Sequence, residues 1–385
     1  MFSSALFLAA LFAHSNGMPL ASSSAPRPRA VAVPPPSVEF LGRTTSNNFP
    51  NVFRDGGGGG KINGLNMMIF SDGIYTKDGR PPADDFSNWA NFSSNSIAVS
   101  DWHGEGVTKL SDFGTPDKGP KQMVPFFYAG GEDDDKTGIW PNQGIATLCG
   151  GICGVSFPEV VDRQHPGNGL ASLLYSTAIK ISLTGYGPVV ERPTQALFNN
   201  GEPLFGSFGT LVSIDGFLYT FAAISKTADD ANHGLKMARV PQAAFADRSQ
   251  YQYWDGAAWS PAIPAFADGG RSNILSWSWE GFGVKYGPGS GDLFFSQLYG
   301  QYVLLFMSGA PALDAHVYMS YSTKLESGWS KPVPIYELPP VADGYNYAFH
   351  AYSNYDPTGK TIPISWSQWG QSESYHVAMA NLHFS

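Results

Sequence analysis

Short runs of strand-forming residues recur along this chain, separated by Gly, Pro, Asn and Asp. One apolar hairpin, residues 211–221, carries Asp215-Gly216 at its turn, a pair typical of two-residue hairpin loops. Two further strand-like segments follow it, at residues 234–240 and 251–259. Helical periodicity is hard to find, so the pattern favours an all-β fold.

The same plan returns towards the carboxyl end. A second unit runs from Gly283 to Pro332 and a third from Tyr347 to Leu382. Units of about 50 to 70 residues with four strands each are typical of propeller blades. The sequence therefore predicts an all-β, five-bladed β-propeller, in which the strand Ser37–Leu41 completes the last blade. A β-sandwich with long insertions is the competing architecture.

The amino terminus predicts export. Residues 1–17 contain an apolar run, Ala5–Ala13, which is too short to span a bilayer and is typical of a signal peptide. Residues 18–36 are rich in Ser, Ala and Pro and predict a disordered leader. We expect the folded part to be a single propeller domain over residues 37–385, in a secreted, extracellular protein.

Two further features fit an exported chain. Cys149 and Cys153 are its two cysteines, and a short-range pair in an exported protein predicts a disulfide. A redox or zinc site is the weaker interpretation, because zinc would need further ligands at suitable spacing. Asn91-Phe92-Ser93 is a glycosylation sequon, which predicts a glycan on Asn91.

Charge and aromatic content point towards a partner class. The net charge is -9 and aromatic residues make up 14% of the chain, which excludes a typical nucleic-acid surface. Aromatic side chains match the apolar faces of sugars, although they also fill β cores. We expect a carbohydrate substrate, no nucleic-acid or membrane partner, no cofactor or metal, and a monomer. The acidic run 132–135 lacks the spacing of a calcium loop and predicts a solvated loop.

A carboxylate pair flanks a run of five glycines. Asp55 precedes Gly56–Gly60, and Asp72 follows the apolar run that comes next. Glycines lack side-chain bulk, so this run predicts an open rim that a ligand can approach. Glycosidases need one carboxylic acid and one carboxylate, and Asp55 with Asp72 fits that need. The alternative is a mobile hairpin loop and two aspartates that cap turns.

These segments resemble a known family. The residues that carry the resemblance are Arg54-Asp55-Gly56-Gly57, Ile69-Phe70-Ser71-Asp72-Gly73, the segments 234–241 and 251–259, and the Ile362–Trp366 strand. Together they resemble the secreted proteins of domain-of-unknown-function family 4185, some of which are endo-D-arabinanases of glycoside hydrolase family 183. The resemblance implies a five-bladed propeller, related to the arabinanases of family 43, and places Asp55 and Asp72 on one rim.

Other residues are reserve candidates. Glu280 precedes a strand among tryptophans and is a third possible catalytic acid, although a solvated loop position explains it equally well. His350 lies at the corresponding place of the next unit and could bind a sugar hydroxyl or fill the core. The other candidate substrate-binding residues are Arg54, Trp277, Trp279 and Trp102.

The leading hypothesis is a secreted glycoside hydrolase that cuts an arabinan-like or other furanose-containing glycan. A non-catalytic, lectin-like propeller is the alternative, and a secreted interaction protein is a third. The acid-and-glycine pattern occurs once, which favours one central site over a binding motif repeated in each blade.

Overall fold

Strands dominate the structure, as the period-2 apolar pattern predicts, and the all-β prediction is confirmed. The structure is a computed structural model that describes residues 32–83, 86–141, 144–164, 171–213, 215–224, 234–276, 288–308, 312, 314–370 and 375–385. The expected signal peptide, Glu280, Trp277 and Trp279 lie outside these residues. No helix in the described ranges is long and apolar enough to cross a membrane.

Short antiparallel strands follow one another along the chain. The first half holds β1 Ser37–Arg43, β2 Thr45–Ser46, β3 Val52–Arg54, β4 Gly58–Ile62, β5 Leu65–Phe70, β6 Gly73–Thr76, β7 Trp89–Ser93, β8 Ser96–Ser100, β9 Lys109–Asp112, β10 Gly114–Thr115, β11 Gly119–Pro120, β12 Thr137–Trp140, β13 Ala146–Leu148, β14 Cys153–Ser156, β15 Glu159–Asp162, β16 Ser172–Thr184 and β17 Gly187–Asn199. The second half holds β18 Gly209–Val212, β19 Phe217–Ile224, β20 Gly234–Pro241, β21 Gln252–Trp254, β22 Trp259–Ser260, β23 Asn273–Ser276, β24 Pro288–Ser296, β25 Gln301–Ser308, β26 His316–Ser322, β27 Val333–Glu337, β28 Gly344–Ala351, β29 Thr361–Gly370 and β30 His376–His383. Single 3-10 turns occur at Tyr128–Gly130, Cys149–Gly151, Gln242–Ala244 and Arg248–Gln250.

Five larger sheets contain most of these strands within the described part of the chain. Their strand orders are β2-β9-β8-β5-β4, β12-β15-β16-β14-β13 with β17, β18-β19-β20-β21-β22 with β23, β24-β25-β26-β27, and β1-β30-β29-β28. One edge strand from each sheet contacts the next: β4 contacts β13, β13 contacts β18, β18 contacts β24, β24 contacts β28, and β28 contacts β4. The edge strands of the five sheets therefore follow one another in a cycle.

The apolar core is divided in the same way. Each of five buried clusters combines side chains from two sheets that are neighbours in the cycle. Met307 on β25 and Phe349 on β28 belong to one cluster, for example, and Phe70 on β5 and Met379 on β30 belong to another. Burial of apolar side chains between successive sheets stabilises each sheet against its neighbours.

The two ends of the folded part meet in one sheet. β1 pairs antiparallel with β30, from Ser37 opposite His383 to Arg43 opposite Ala378. The prediction that the amino-terminal strand completes the last unit is thereby confirmed. The unit that runs from β28 to β30 supplies only three strands, so β1 adds the fourth.

Two local predictions have different outcomes. The Cys149–Cys153 disulfide is present and closes the turn between β13 and β14. The prediction of a solvated acidic loop is wrong for Glu132, which is buried and bonds Arg192 through two oxygens at 2.6 and 2.7 Å. A buried carboxylate needs such a partner. Among the described residues, no group of three or more His, Cys, Asp and Glu could hold a metal ion.

Candidate active site

The glycine run packs tightly within the structure, contrary to the expected open or mobile rim. Gly56 and Gly57 have φ values of 69° and 122°, which side chains rarely adopt. Gly58 starts β4, and a Cβ on Gly60 would collide with the backbone of Ile145. The run is glycine-rich because its own neighbours come close, so the glycines position Asp55 instead of opening a path for a ligand.

Asp55 and Asp72 lie side by side. Asp55 connects β3 to β4, and Asp72 connects β5 to β6. The backbone N–H of Asp55 donates to the carbonyl of Asp72 at 2.9 Å, and the N–H of Ser71 donates to the carbonyl of Asp55 at 3.0 Å. These two backbone hydrogen bonds hold the connections together, so the proximity that the sequence predicted for the two acids is found in the structure.

An aromatic side chain donates to each carboxyl group. The Tyr347 hydroxyl donates to Asp55 Oδ2 at 2.8 Å, and the Trp140 indole N–H donates to Asp72 Oδ1 at 2.7 Å. Asp55 Oδ1 is buried and has no hydrogen-bond partner among the described residues. Each carboxyl is thus fixed in orientation, and Asp55 Oδ1 is a buried acceptor that these described hydrogen bonds leave unsatisfied.

Burial and mutual repulsion raise the pKa values of the two acids by different amounts. Burial raises the pKa of Asp55 to about 6, against the lowering effect of the hydrogen bonds from Tyr347 and the Asp72 backbone. Burial and then the charge of Asp55 raise the pKa of Asp72 to about 8, although Trp140 and Arg163 oppose this. Ionisation of both adjacent carboxyl groups is energetically unfavourable, because their negative charges repel each other. Near neutral pH, ionisation of both acids together is disfavoured, and the pKa of Asp72 is raised more than that of Asp55.

Arg54 is engaged elsewhere. Its guanidinium is buried, donates to both oxygens of Asp112 at 2.6 and 2.9 Å, and lies 4.5 Å from the centre of the Phe70 ring. This geometry secures the strand that precedes Asp55 and does not support the predicted contact between Arg54 and a sugar.

His350 and Trp102 have structural partners away from the pair. His350 Nδ1 is 3.1 Å from Asp292 Oδ2, which links β28 to β24, and the imidazole is buried. The Trp102 indole donates to Asn381 Oδ1 at 3.0 Å. No described hydrogen bond joins either residue to Asp55 or Asp72, so their substrate contacts stay predictions.

Asn91, the expected glycosylation site, lies on β7. Its side-chain amide is half-buried and donates to the carbonyl of Lys118 at 2.8 Å. An attached glycan would replace one of the two amide hydrogens and leave the other for this bond. The structure is compatible with the modification, which stays a prediction.

Sequence reasoning missed Tyr347 and Trp140. Tyr347 is 292 residues from Asp55 along the chain, and Trp140 is 68 residues from Asp72. Tyr347 lies three residues before His350, in a segment that the sequence analysis had already selected for His350. Its presence in that segment was the signal that could have made it a candidate. Trp140 had no local signal.

Comparison with known proteins supports the fold. No family model and no curated protein matches this chain. Among solved structures, a candidate hydrolase from Bacteroides ovatus is similar over 86% of this chain and 85% of its own, with a TM-score of 0.59 and 15% identity. At this identity the likeness concerns the fold alone.

Two carbohydrate-related structures show weaker likeness. An N-acetylgalactosamine deacetylase from F. plautii, solved with blood group B trisaccharide, has a TM-score of 0.48 and 10% identity, with 92% of this chain and 96% of that chain covered. The catalytic domain of a GH62 α-L-arabinofuranosidase from Coprinopsis cinerea has a TM-score of 0.41 and 9% identity, with 91% and 98% covered.

Proposed function

We propose that residues 37–385 form a five-bladed β-propeller. The support is the cycle of edge strands β4, β13, β18, β24 and β28, together with five apolar clusters that each join two successive sheets. A single sandwich would instead bury one core between two sheets. In a propeller the edge strands line a central axis, and ligands bind at one end of it.

We further propose that the protein is a secreted glycoside hydrolase with Asp55 and Asp72 as its carboxylate pair. The observation that carries this is the pairing of two half-buried carboxyl groups whose pKa values are raised unequally. Glycoside hydrolysis needs a protonated acid beside an ionised carboxylate at the same pH. Two turn-capping aspartates on the surface would instead have ordinary or lowered pKa values.

The two acids take different roles in this mechanism. Asp72 transfers its proton to the glycosidic oxygen as the bond from that oxygen to the anomeric carbon breaks. The ionised Asp55 either attacks the anomeric carbon or takes a proton from an attacking water. Tyr347 keeps Asp55 oriented, and Trp140 keeps Asp72 oriented.

The proposed substrate is an arabinan-like or other furanose-containing glycan. Its support is the resemblance of the segments around Asp55 and Asp72 to the endo-D-arabinanase family. Secretion is proposed on the apolar amino-terminal run and on the Cys149–Cys153 disulfide, since disulfides form in oxidising compartments.

The test is hydrolysis of D-arabinan, L-arabinan and arabinogalactan by the purified chain and by the Asp55→Asn and Asp72→Asn variants. Asp135→Asn is the matched control, because Asp135 is an exposed aspartate outside the site. We expect oligosaccharide release by the wild type and the control, and a loss of at least 100-fold in each site variant. Equal activity in all four proteins would refute the assignment of the pair. Glycan binding without hydrolysis by the wild type would favour the lectin-like alternative.

A further inference from the structure

Four aromatic side chains form a continuous group beside Asp55. Tyr345 and Tyr347 lie on β28, Trp369 lies on β29, and Tyr375 immediately precedes β30. The Tyr345 ring centre is 5.5 Å from that of Tyr347 and 5.4 Å from that of Trp369. The Trp369 side chain acts on the Tyr375 hydroxyl and lowers its pKa, against the larger effect of burial. We call these four residues the aromatic wall.

The wall reaches the carboxylate pair at two points. Tyr347 donates to Asp55, as described above. Tyr375 accepts a backbone hydrogen bond from Arg54, the residue before Asp55, at 2.9 Å. The pKa of Tyr375 is raised to about 12, by burial first and then by the charges of Asp55 and Asp72.

Strand geometry explains why the wall faces this way. Side chains alternate between the two faces of a strand, so Trp369 shares a face of β29 with Ser365 and Ser367. The hydroxyls of these serines donate to the carbonyls of Gly57 and Gly56, both at 3.1 Å. That face is therefore the one that meets the glycine run, and Trp369 continues it towards Asp55.

Exposure distinguishes the wall from core aromatics. Trp366, on the opposite face of β29, is fully buried in an apolar cluster. All four wall residues are instead half-buried, like Asp55 and Asp72 themselves. These rings therefore keep part of their apolar surface in reach of solvent next to the candidate catalytic groups.

The backbone at Tyr375 is strained. Its φ is 60°, in the left-handed region that costs a residue other than glycine about 1 to 2 kcal/mol. Strain of this kind tends to persist where a side chain must be held in a particular place. At Tyr375 it directs a tyrosine to the wall and to the carboxylate pair.

We propose that Tyr345, Trp369 and Tyr375 form a sugar-binding subsite beside Asp55 that takes the apolar face of an uncharged sugar ring. Aromatic faces pack against the C–H surface of a sugar, and the tyrosine hydroxyls can bond its edge. Among the described residues, Asp55 acts on both Tyr345 and Tyr375 through its charge, and the ionised Asp55 repels an acidic sugar such as a uronate. This inference rests on the proposed function, and names the substrate class as neutral glycans.

The first experiment measures binding without turnover. A linear arabinofuranose hexasaccharide and a galacturonate hexasaccharide are titrated calorimetrically into Asp72→Asn protein, alone and combined with Tyr345→Ala, Tyr345→Phe or Tyr375→Asn. Asparagine at position 375 tolerates the left-handed backbone and removes the ring together with its hydroxyl. The control is Tyr302→Ala, a half-buried tyrosine on β25 that packs on Phe295.

We expect the arabinofuranose probe to bind and the galacturonate probe to bind at least tenfold more weakly. Tyr345→Ala and Tyr375→Asn should weaken arabinofuranose binding about tenfold, whereas Tyr345→Phe and the control should retain it. Unchanged affinity in both ring-deletion variants, or no binding to the parent protein, would overturn the subsite. Equal affinity for the two probes would overturn its preference for neutral sugars.

The second experiment separates the subsite from the hydrolase proposal. In the catalytically intact chain, the Tyr345→Ala change should raise KM about tenfold and change kcat little, because the subsite binds ground state and transition state alike. Hydrolysis with an unchanged KM would leave the hydrolase proposal standing and overturn the subsite. Wall-dependent binding without any hydrolysis would support the subsite and contradict the hydrolase.

Discussion

Replacing Asp72 by asparagine should stabilise the protein at high pH while abolishing activity. The folded structure raises the pKa of Asp72 from the ordinary 3.8 to about 8. A raised pKa means that the folded state prefers the neutral carboxyl. The stability associated with that preference is fully present below about pH 4 and is lost as the pH rises through 8. Asparagine stays neutral at all these pH values and can still accept the hydrogen bond from Trp140.

The magnitude follows from the same pKa. A tenfold change in an ionisation constant corresponds to about 1.4 kcal/mol, so a rise from 3.8 to about 8 gives a ceiling near 6 kcal/mol. Asp72 is only half-buried, and water screens part of this cost. We therefore expect Asp72→Asn to exceed the wild type by about 2 kcal/mol in the free energy of unfolding at pH 9, and to match it at pH 4.

The assay is urea denaturation of both proteins at pH 4, 6, 8 and 9. Asp135→Asn serves again as the control, since an exposed aspartate should show no pH-dependent difference from the wild type. A difference between Asp72→Asn and the wild type that stays flat with pH, or a less stable variant at pH 9, would refute the electrostatic account of the pair. Asp72 would then have to be ionised in the folded protein, and its role as the acid would fail with it.

Three further changes test the surroundings of the site. Tyr347→Phe removes a hydrogen bond that lowers the pKa of Asp55. The acidic limb of the profile of kcat/KM against pH should therefore move up by about one pH unit. A limb that stays in place would show that Tyr347 does not influence the ionisation of Asp55 in the reaction. Arg54→Lys breaks a buried two-point ion pair with Asp112 and should cost about 3 kcal/mol of stability, measured by denaturation, with KM unchanged. A raised KM at unchanged stability would instead support the sugar contact expected from the sequence. Replacing Cys149 and Cys153 by serine should cost about 2 kcal/mol, seen as a lower Tm under non-reducing conditions, because the closed loop is short. No change in Tm would show that the turn is held by its backbone hydrogen bonds alone.

The parts of the fold that the sequence predicted depend on local patterns. Short continuous apolar runs bounded by turn residues are typical of buried strands, so β5 and β25 were readable directly. The addition of the strand Ser37–Leu41 to the last unit followed from counting strands in that unit, and β1 does pair with β30. Asp55 and Asp72 flank the hairpin of β4 and β5, and their proximity was therefore also a local property.

The parts of the fold and of the site that the sequence did not predict depend on contacts between segments that are distant along the chain. Glu132 belongs to a run of acids that looks solvated, and its burial is explained by distant partners, namely Arg192, 60 residues away, and the Tyr175 hydroxyl. The glycine run admits two explanations, since a backbone without side chains allows close approach by a ligand or by the protein itself. The sequence does not distinguish these, and the structure shows the second at Gly60, which meets the backbone of Ile145.

Placing Asp55 and Asp72 side by side creates electrostatic repulsion, which the surrounding hydrogen bonds partly offset. Two adjacent, half-buried acids disfavour ionisation, yet the proposed mechanism needs one of them charged. The backbone hydrogen bonds between Asp55, Ser71 and Asp72 prevent the acids from moving apart, so sharing one proton is the available way to relieve repulsion. Tyr347 donates to Asp55 and thereby lowers its pKa, so the pKa of Asp72 remains the more strongly raised of the two. Because the Tyr347 ring also contacts Tyr345 in the aromatic wall, a sugar bound there would lie next to the ionised carboxylate. Recognition of the sugar and assignment of the proton are in this way linked through one tyrosine.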